Sequence, residues 1–134
     1  MNADNERRLR EAFPALYRKE LPFGFECGDG WFGILWELSE SLDAESKATG
    51  NPPDSDRYPY AVQVKSKFCM LRWYGENLNE AMDALIEAAS ARASTSCETC
   101  GAPGRLWVRR RWYRVCCDTH VPPGSQLVED GKSG

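Results

Sequence analysis

Apolar residues recur at steps of three and four along some stretches of this chain and alternate with polar residues along others. Trp31, Ile34, Leu35, Leu38 and Leu42 form one stripe, while Glu37, Glu40, Asp43 and Lys47 fall on the opposite face. That period predicts an amphipathic helix from about Gly30 to Lys47, with Asp29 as its N-cap. Leu78, Met82, Leu85, Ile86 and Ala89 repeat the pattern, and Asn77 stands three residues ahead of Glu80. The pair has the form of a capping box and predicts a helix running to about Arg92. A shorter helix is expected from Asp4 to Ala12, interrupted by Pro14 and resumed at Ala15–Tyr17.

Between the longer helices the period changes. Thr49 to Pro59 has no periodicity, three prolines and a glycine, and predicts a loop. Val62, Val64, Ser66 and Phe68 then alternate with Gln63, Lys65 and Lys67, the two-residue period of a half-buried strand. The alternation blurs at Cys69-Met70-Leu71, where the strand is expected to bend or become covered on both faces; Gly75 is expected to end it. Further on, Arg105–Val108 and Trp112–Val115 are strand-like runs joined by Arg109-Arg110-Arg111.

Composition narrows the class. At 134 residues, with 42% hydrophobic and 28% charged positions, the chain suits one soluble domain with a packed core. No apolar segment follows a basic start at the N-terminus, and no run approaches the roughly 18 apolar residues of a membrane span. The expectation is therefore a cytoplasmic protein with no membrane partner, whose six cysteines are thiols or metal ligands rather than disulfides.

Four residues carry the clearest chemistry. Cys97-Glu98-Thr99-Cys100-Gly101 and Cys117-Asp118-Thr119-His120 form C-x2-C and C-x2-H pairs separated by sixteen residues. Zinc prefers four tetrahedral ligands drawn from thiolate sulfur and imidazole nitrogen, and each pair can supply two from one tight turn. The intervening hairpin would bring the second pair back to the first, which is the plan of a zinc ribbon. So short a segment buries too little apolar surface to fold alone, so one structural Zn2+ would supply the missing stability. Cys116 could replace Cys117, giving C-x3-H; Cys117 is favoured because its spacing mirrors the first pair. The expected fold is thus α+β: a body over 1–94, a zinc-ribbon β-hairpin over 95–122 and a flexible tail over 123–134.

Three cysteines plus a histidine would close the metal shell, and His120 is the only histidine. No Ser–His or Cys–His pair and no H-x-E deaminase motif can then be assembled, so a non-catalytic role is expected. Charge is uneven. Residues 1–96 hold eleven Lys/Arg against sixteen Asp/Glu, whereas 97–120 hold five arginines against Glu98 and Asp118. Arg109, Arg110 and Arg111, beside Trp112, are candidate contacts for nucleic acid or another partner, because arginine neutralises phosphate and aromatics stack on bases. The alternative is a solvated tip with tryptophans packed on the body. Gly28-Asp29-Gly30-Trp31 lacks the lysine and serine of a phosphate loop and reads as a helix start, while Cys27 and Cys69 read as core thiols.

Three blocks, CGDGWFGILWELSESL (27–42), VQVKSKFCMLRWY (62–74) and SCETCGAPGRLWVRRRWYRVCCDTH (96–120), together resemble a set of small bacterial, prophage and tailed-phage proteins. These combine a D-G-W helix, a Q-V-K-x-K-F strand and a C-terminal C-x-x-C-G…C-x-x-H ribbon. This chain departs from them at Cys69-Met70, where they carry two small residues. The resemblance implies Cys117 rather than Cys116 on the metal. It also implies an accessory protein acting in the host cytoplasm on a host or phage protein, including as an inhibitor of bacterial immunity. A nucleic-acid binder using the Arg-rich hairpin is the alternative expectation.

Overall fold

The computed structural model describes residues 1–128. Its α+β architecture has three helices and two small three-stranded sheets. Helix α1 spans Ala3–Ala12, a 3-10 turn covers Asp29–Trp31, α2 spans Phe32–Ala48 and α3 spans Glu80–Ala93. In the first sheet, the two-residue strand β1 (Phe25–Glu26) runs parallel to β2 (Tyr60–Lys67), which pairs antiparallel with β3 (Met70–Glu76). In the second, β4 (Arg105–Arg109) lies between β5 (Trp112–Cys116) and β6 (Gln126–Leu127).

The predicted stripe of α2 is the spine of the core. Trp31, Leu35, Leu38 and Leu42 are buried against Leu9, Leu16, Phe25, Val64 and Met82. One buried polar chain crosses this core: the Trp73 indole donates to Tyr17 Oη (3.3 Å), which bonds Ser39 Oγ (2.7 Å), which donates to the Leu35 carbonyl (2.7 Å). Each member satisfies the next, as buried polar groups require.

Several elements differ from the expectation. Phe13–Tyr17 does not resume α1; it is a turn that buries Leu16 and Tyr17. The helix start at Asp29 is a 3-10 turn, and the Asp29 carboxylate does not cap α2. It accepts instead from Asn2 N (2.7 Å) and Asn5 Nδ2 (3.2 Å) of the α1 region. The N-cap of α3 is Asn79, whose side chain accepts from Met82 N (2.8 Å). Asn77 has φ 63° and donates to the carbonyls of Asp56 and Tyr58. Of the tail, 126–127 pair with Trp107 and Val108 as β6, and the rest from 129 lies outside the described residues.

The single expected strand over 62–75 is a hairpin. Lys67 pairs with Met70, and Phe68 and Cys69 form the two-residue turn with φ of 53° and 65°. Both central residues of such a turn are left-handed, a conformation that costs a residue with a Cβ about 1–2 kcal/mol. Cys69 is therefore a half-buried turn residue rather than a core thiol. Replacing it, Cys69→Gly, is expected to raise stability by about 1 kcal/mol. A urea denaturation midpoint that falls would contradict this turn.

Candidate metal centre

The two C-terminal chain reversals are built from backbone bonds that aim their side chains at one point. Around the first, Cys97 N donates to Ala102 O (2.8 Å) and Gly101 N donates to Cys97 O (2.8 Å). Gly101 takes φ 82°, the left-handed reversal expected after the second cysteine. At the second, His120 N donates to Cys117 O (3.1 Å). The hairpin of β4 and β5 joins them, and Glu98 N donating to Val115 O (3.0 Å) locks the first reversal to β5.

Cys97, Cys100, Cys117 and His120 thereby present one ligand atom each, all within 4.8 Å of one another. Cys100 Sγ lies 3.7 Å from Cys117 Sγ, and His120 Nδ1 lies 3.9 Å from Cys97 Sγ and 3.2 Å from Cys117 Sγ. Four ligands at zinc–sulfur distances of about 2.3 Å in a tetrahedron stand about 3.8 Å apart, so the set fits a metal ion of that size. Cys116, the alternative ligand, is buried and stands outside the cluster.

Electrostatics favour the thiolate at Cys97 and Cys117 and oppose it at Cys100. Burial opposes the Cys97 thiolate, but amides of Cys117, Cys100 and Thr99 and the Cys117 thiol outweigh it and bring the group down to about 6. Burial likewise opposes ionisation of Cys117, and His120 with the Thr119 amide overcomes it, lowering that thiol. The Ala102 amide favours the Cys100 thiolate, yet burial and the neighbouring Cys117 and Cys97 leave this thiol raised. His120 is raised by its contact with Cys117. Such mutual coupling of crowded sulfurs is relieved when a cation replaces their protons.

Sequence reasoning missed what holds the centre in place. Gly30 N donates to Glu98 O (2.8 Å), and the Trp31 indole donates to Ser96 O (3.1 Å). A Cβ at Gly30 would stand 2.1 Å from Cys97 O, and one at Gly28 would stand 2.1 Å from Glu98 O. The Gly-Asp-Gly-Trp segment is thus a docking seat for the Cys97–Cys100 turn, which only bare Cα atoms allow. Its signal was two glycines flanking one residue before a buried tryptophan. Ser66 Oγ donating to Glu98 Oε1 (2.8 Å) adds a second tie, from β2.

The other candidates fall at the far end of the ribbon. Arg109 ends β4, Arg110 and Arg111 are the two turn residues with φ of 49° and 70°, and Trp112 opens β5 at 78% exposure. Arg109, Arg110 and Trp112 share a cleft of about 390 Å³ with Trp107 and Arg114, whereas Arg111 is not part of its lining. Cys27 is buried, and burial pushes its thiol up to about 12. Among the described residues, no helix is long and apolar enough to cross a membrane. No family model matches the chain, and no curated protein or solved structure matches it either.

Proposed function

We propose that this chain is a non-catalytic binding module whose ribbon is organised by one structural Zn2+ held by Cys97, Cys100, Cys117 and His120. The convergence of three sulfurs and one imidazole within 4.8 Å carries this reading. Thiolates and imidazole in a tetrahedral set favour zinc over magnesium or calcium, which take oxygen ligands. Four protein ligands leave no position for an activated water, the feature a catalytic zinc requires. When bound, the ion supplies cross-linking: it ties two chain reversals that the small ribbon sheet alone does not bury. Cobalt substitution tests both parts. A tetrahedral, thiolate-rich visible spectrum unaffected by small anions supports a closed shell; an octahedral spectrum, or one shifted by azide, contradicts it.

A protein partner, of the host or of a phage as the resemblance implies, is the second reading. The observation in its favour is an apolar cleft on the body where Phe23 (76% exposed), Val62 (40%) and Tyr74 (43%) meet, away from the metal centre. Aromatic side chains of this exposure are the usual anchors of protein interfaces.

A further inference from the structure

We propose that the ribbon face carrying Trp107, Arg109, Trp112 and Arg114 binds single-stranded nucleic acid, with bases stacked on indole and phosphates held by guanidinium groups. This names a partner for the binding module proposed above and rests on the non-catalytic binding role in that reading, not on its metal.

Strand register supplies the first argument. Trp107 pairs with Arg114, and Arg109 pairs with Trp112. Directly opposed residues of an antiparallel pair share one face, with Cβ atoms about 4.5–5.5 Å apart. The two strands therefore lay out a checkerboard in which each tryptophan faces an arginine and the two arginines sit on a diagonal. Arg110, from the turn, joins them at the same cleft. Leu106, Val108, Tyr113 and Val115 alternate onto the other face, where Val115 is buried.

Charge and unmet bonding supply the second. No carboxylate among the described residues pairs with Arg109, Arg110 or Arg114; the ribbon's ion pair joins Arg105 to Asp118 at 3.9 Å. Trp112 is 78% exposed, and Trp107 Nε1 is buried without a hydrogen-bond partner among the described residues. An acidic peptide would answer the arginines but leave the indole faces without a planar partner. A duplex offers phosphates but keeps its bases stacked on one another. A single strand offers planar bases and phosphate charge together. The acidic remainder of the chain confines this attraction to the ribbon.

The test measures anisotropy of labelled oligothymidylate and oligouridylate against the zinc-loaded chain across a salt series. Duplex of the same length and polyglutamate serve as the competing classes. Three arginines on a single strand predict a log–log salt slope of roughly −2, since each phosphate contact on a single strand contributes about −0.7. The double variant Arg109→Ala/Arg114→Ala should flatten the slope to roughly −0.7. Trp112→Ala should weaken binding about ten-fold with the slope unchanged, and Trp112→Phe should restore most of it. Binding of either strand in this pattern supports the proposal. It is overturned if neither strand binds at low salt, if duplex or polyglutamate binds as tightly, or if variants that keep their circular dichroism bind like the parent. Zinc content is read on the same samples. Strand binding by a chain that holds no zinc would overturn the metal reading and leave this one standing.

Discussion

Stripping the metal with a chelator is expected to lower the thermal midpoint of the whole chain by about 15 °C, rather than loosening the ribbon alone. The reason is where the first metal-binding turn sits. Cys97 is fully buried, the carbonyls of Cys97 and Glu98 lie against Gly30 and Gly28, and Ser96 O accepts the bond from Trp31. Trp31 is itself fully buried at the head of α2, in contact with the main core. Releasing the ion removes the cross-link that holds this turn, so the core loses one wall. Loss of a structural metal belongs to the few single changes that exceed about 4 kcal/mol. For a chain of this size each kcal/mol corresponds to about 4 °C. Cys97→Ser should match the chelated protein, because it also leaves a hydroxyl buried among sulfurs. Circular dichroism at the aromatic bands and a melting curve decide the matter. A midpoint that moves by only a degree or two would show that ribbon and body are independent.

Gly30→Ala is expected to cost about 3 kcal/mol and to weaken metal binding at the same time. Its added methyl would stand 2.1 Å from Cys97 O and 2.6 Å from the Glu98 carbonyl carbon, both of them backbone that cannot swing aside. Overpacking of this kind ordinarily costs about 1–3 kcal/mol, and here relief requires moving the ligand-bearing turn itself. Gly33→Ala, three residues on in α2, is the control: nothing lies within 4 Å of its Cβ position, and it sits in a helix. Replacing an exposed helical glycine with alanine stabilises by about 0.5–1 kcal/mol. Opposite signs in urea denaturation, with loss of zinc affinity confined to Gly30→Ala, are the expected result. Equal effects of the two variants would mean the Gly-Asp-Gly-Trp seat does not position the centre.

The convergence of three cysteines and one histidine was legible because of their spacing: two pairs, each with two intervening residues, can meet only if a hairpin returns the chain. The helix over Phe32–Ala48 was equally legible, its period fixed by the burial of Leu35, Leu38 and Leu42. Turns were the weak point, for a physical reason. Phe68-Cys69 and Arg110-Arg111 both adopt left-handed conformations that Gly, Asn or Asp normally announce, and neither contains one of them. The first hairpin therefore read as one bent strand. Asn77 attracted the cap assignment by its spacing to Glu80, but its own left-handed backbone places it before the helix, and Asn79 does the capping. Hidden most deeply was the seat under Cys97. A glycine reserved for close backbone approach looks in sequence like a glycine reserved for a turn, and only the distance to Cys97 O tells them apart. The checkerboard of Trp107, Arg109, Trp112 and Arg114 required the register as well, since cross-strand neighbours are invisible until the turn length is known.

The most direct test of the metal centre is native mass spectrometry of the purified chain beside Cys116→Ser and Cys117→Ser. The arrangement of sulfurs predicts one zinc per chain, kept when residue 116 is changed and lost when residue 117 is changed. A parent chain that carries no zinc, or a pattern with the two variants exchanged, would contradict it.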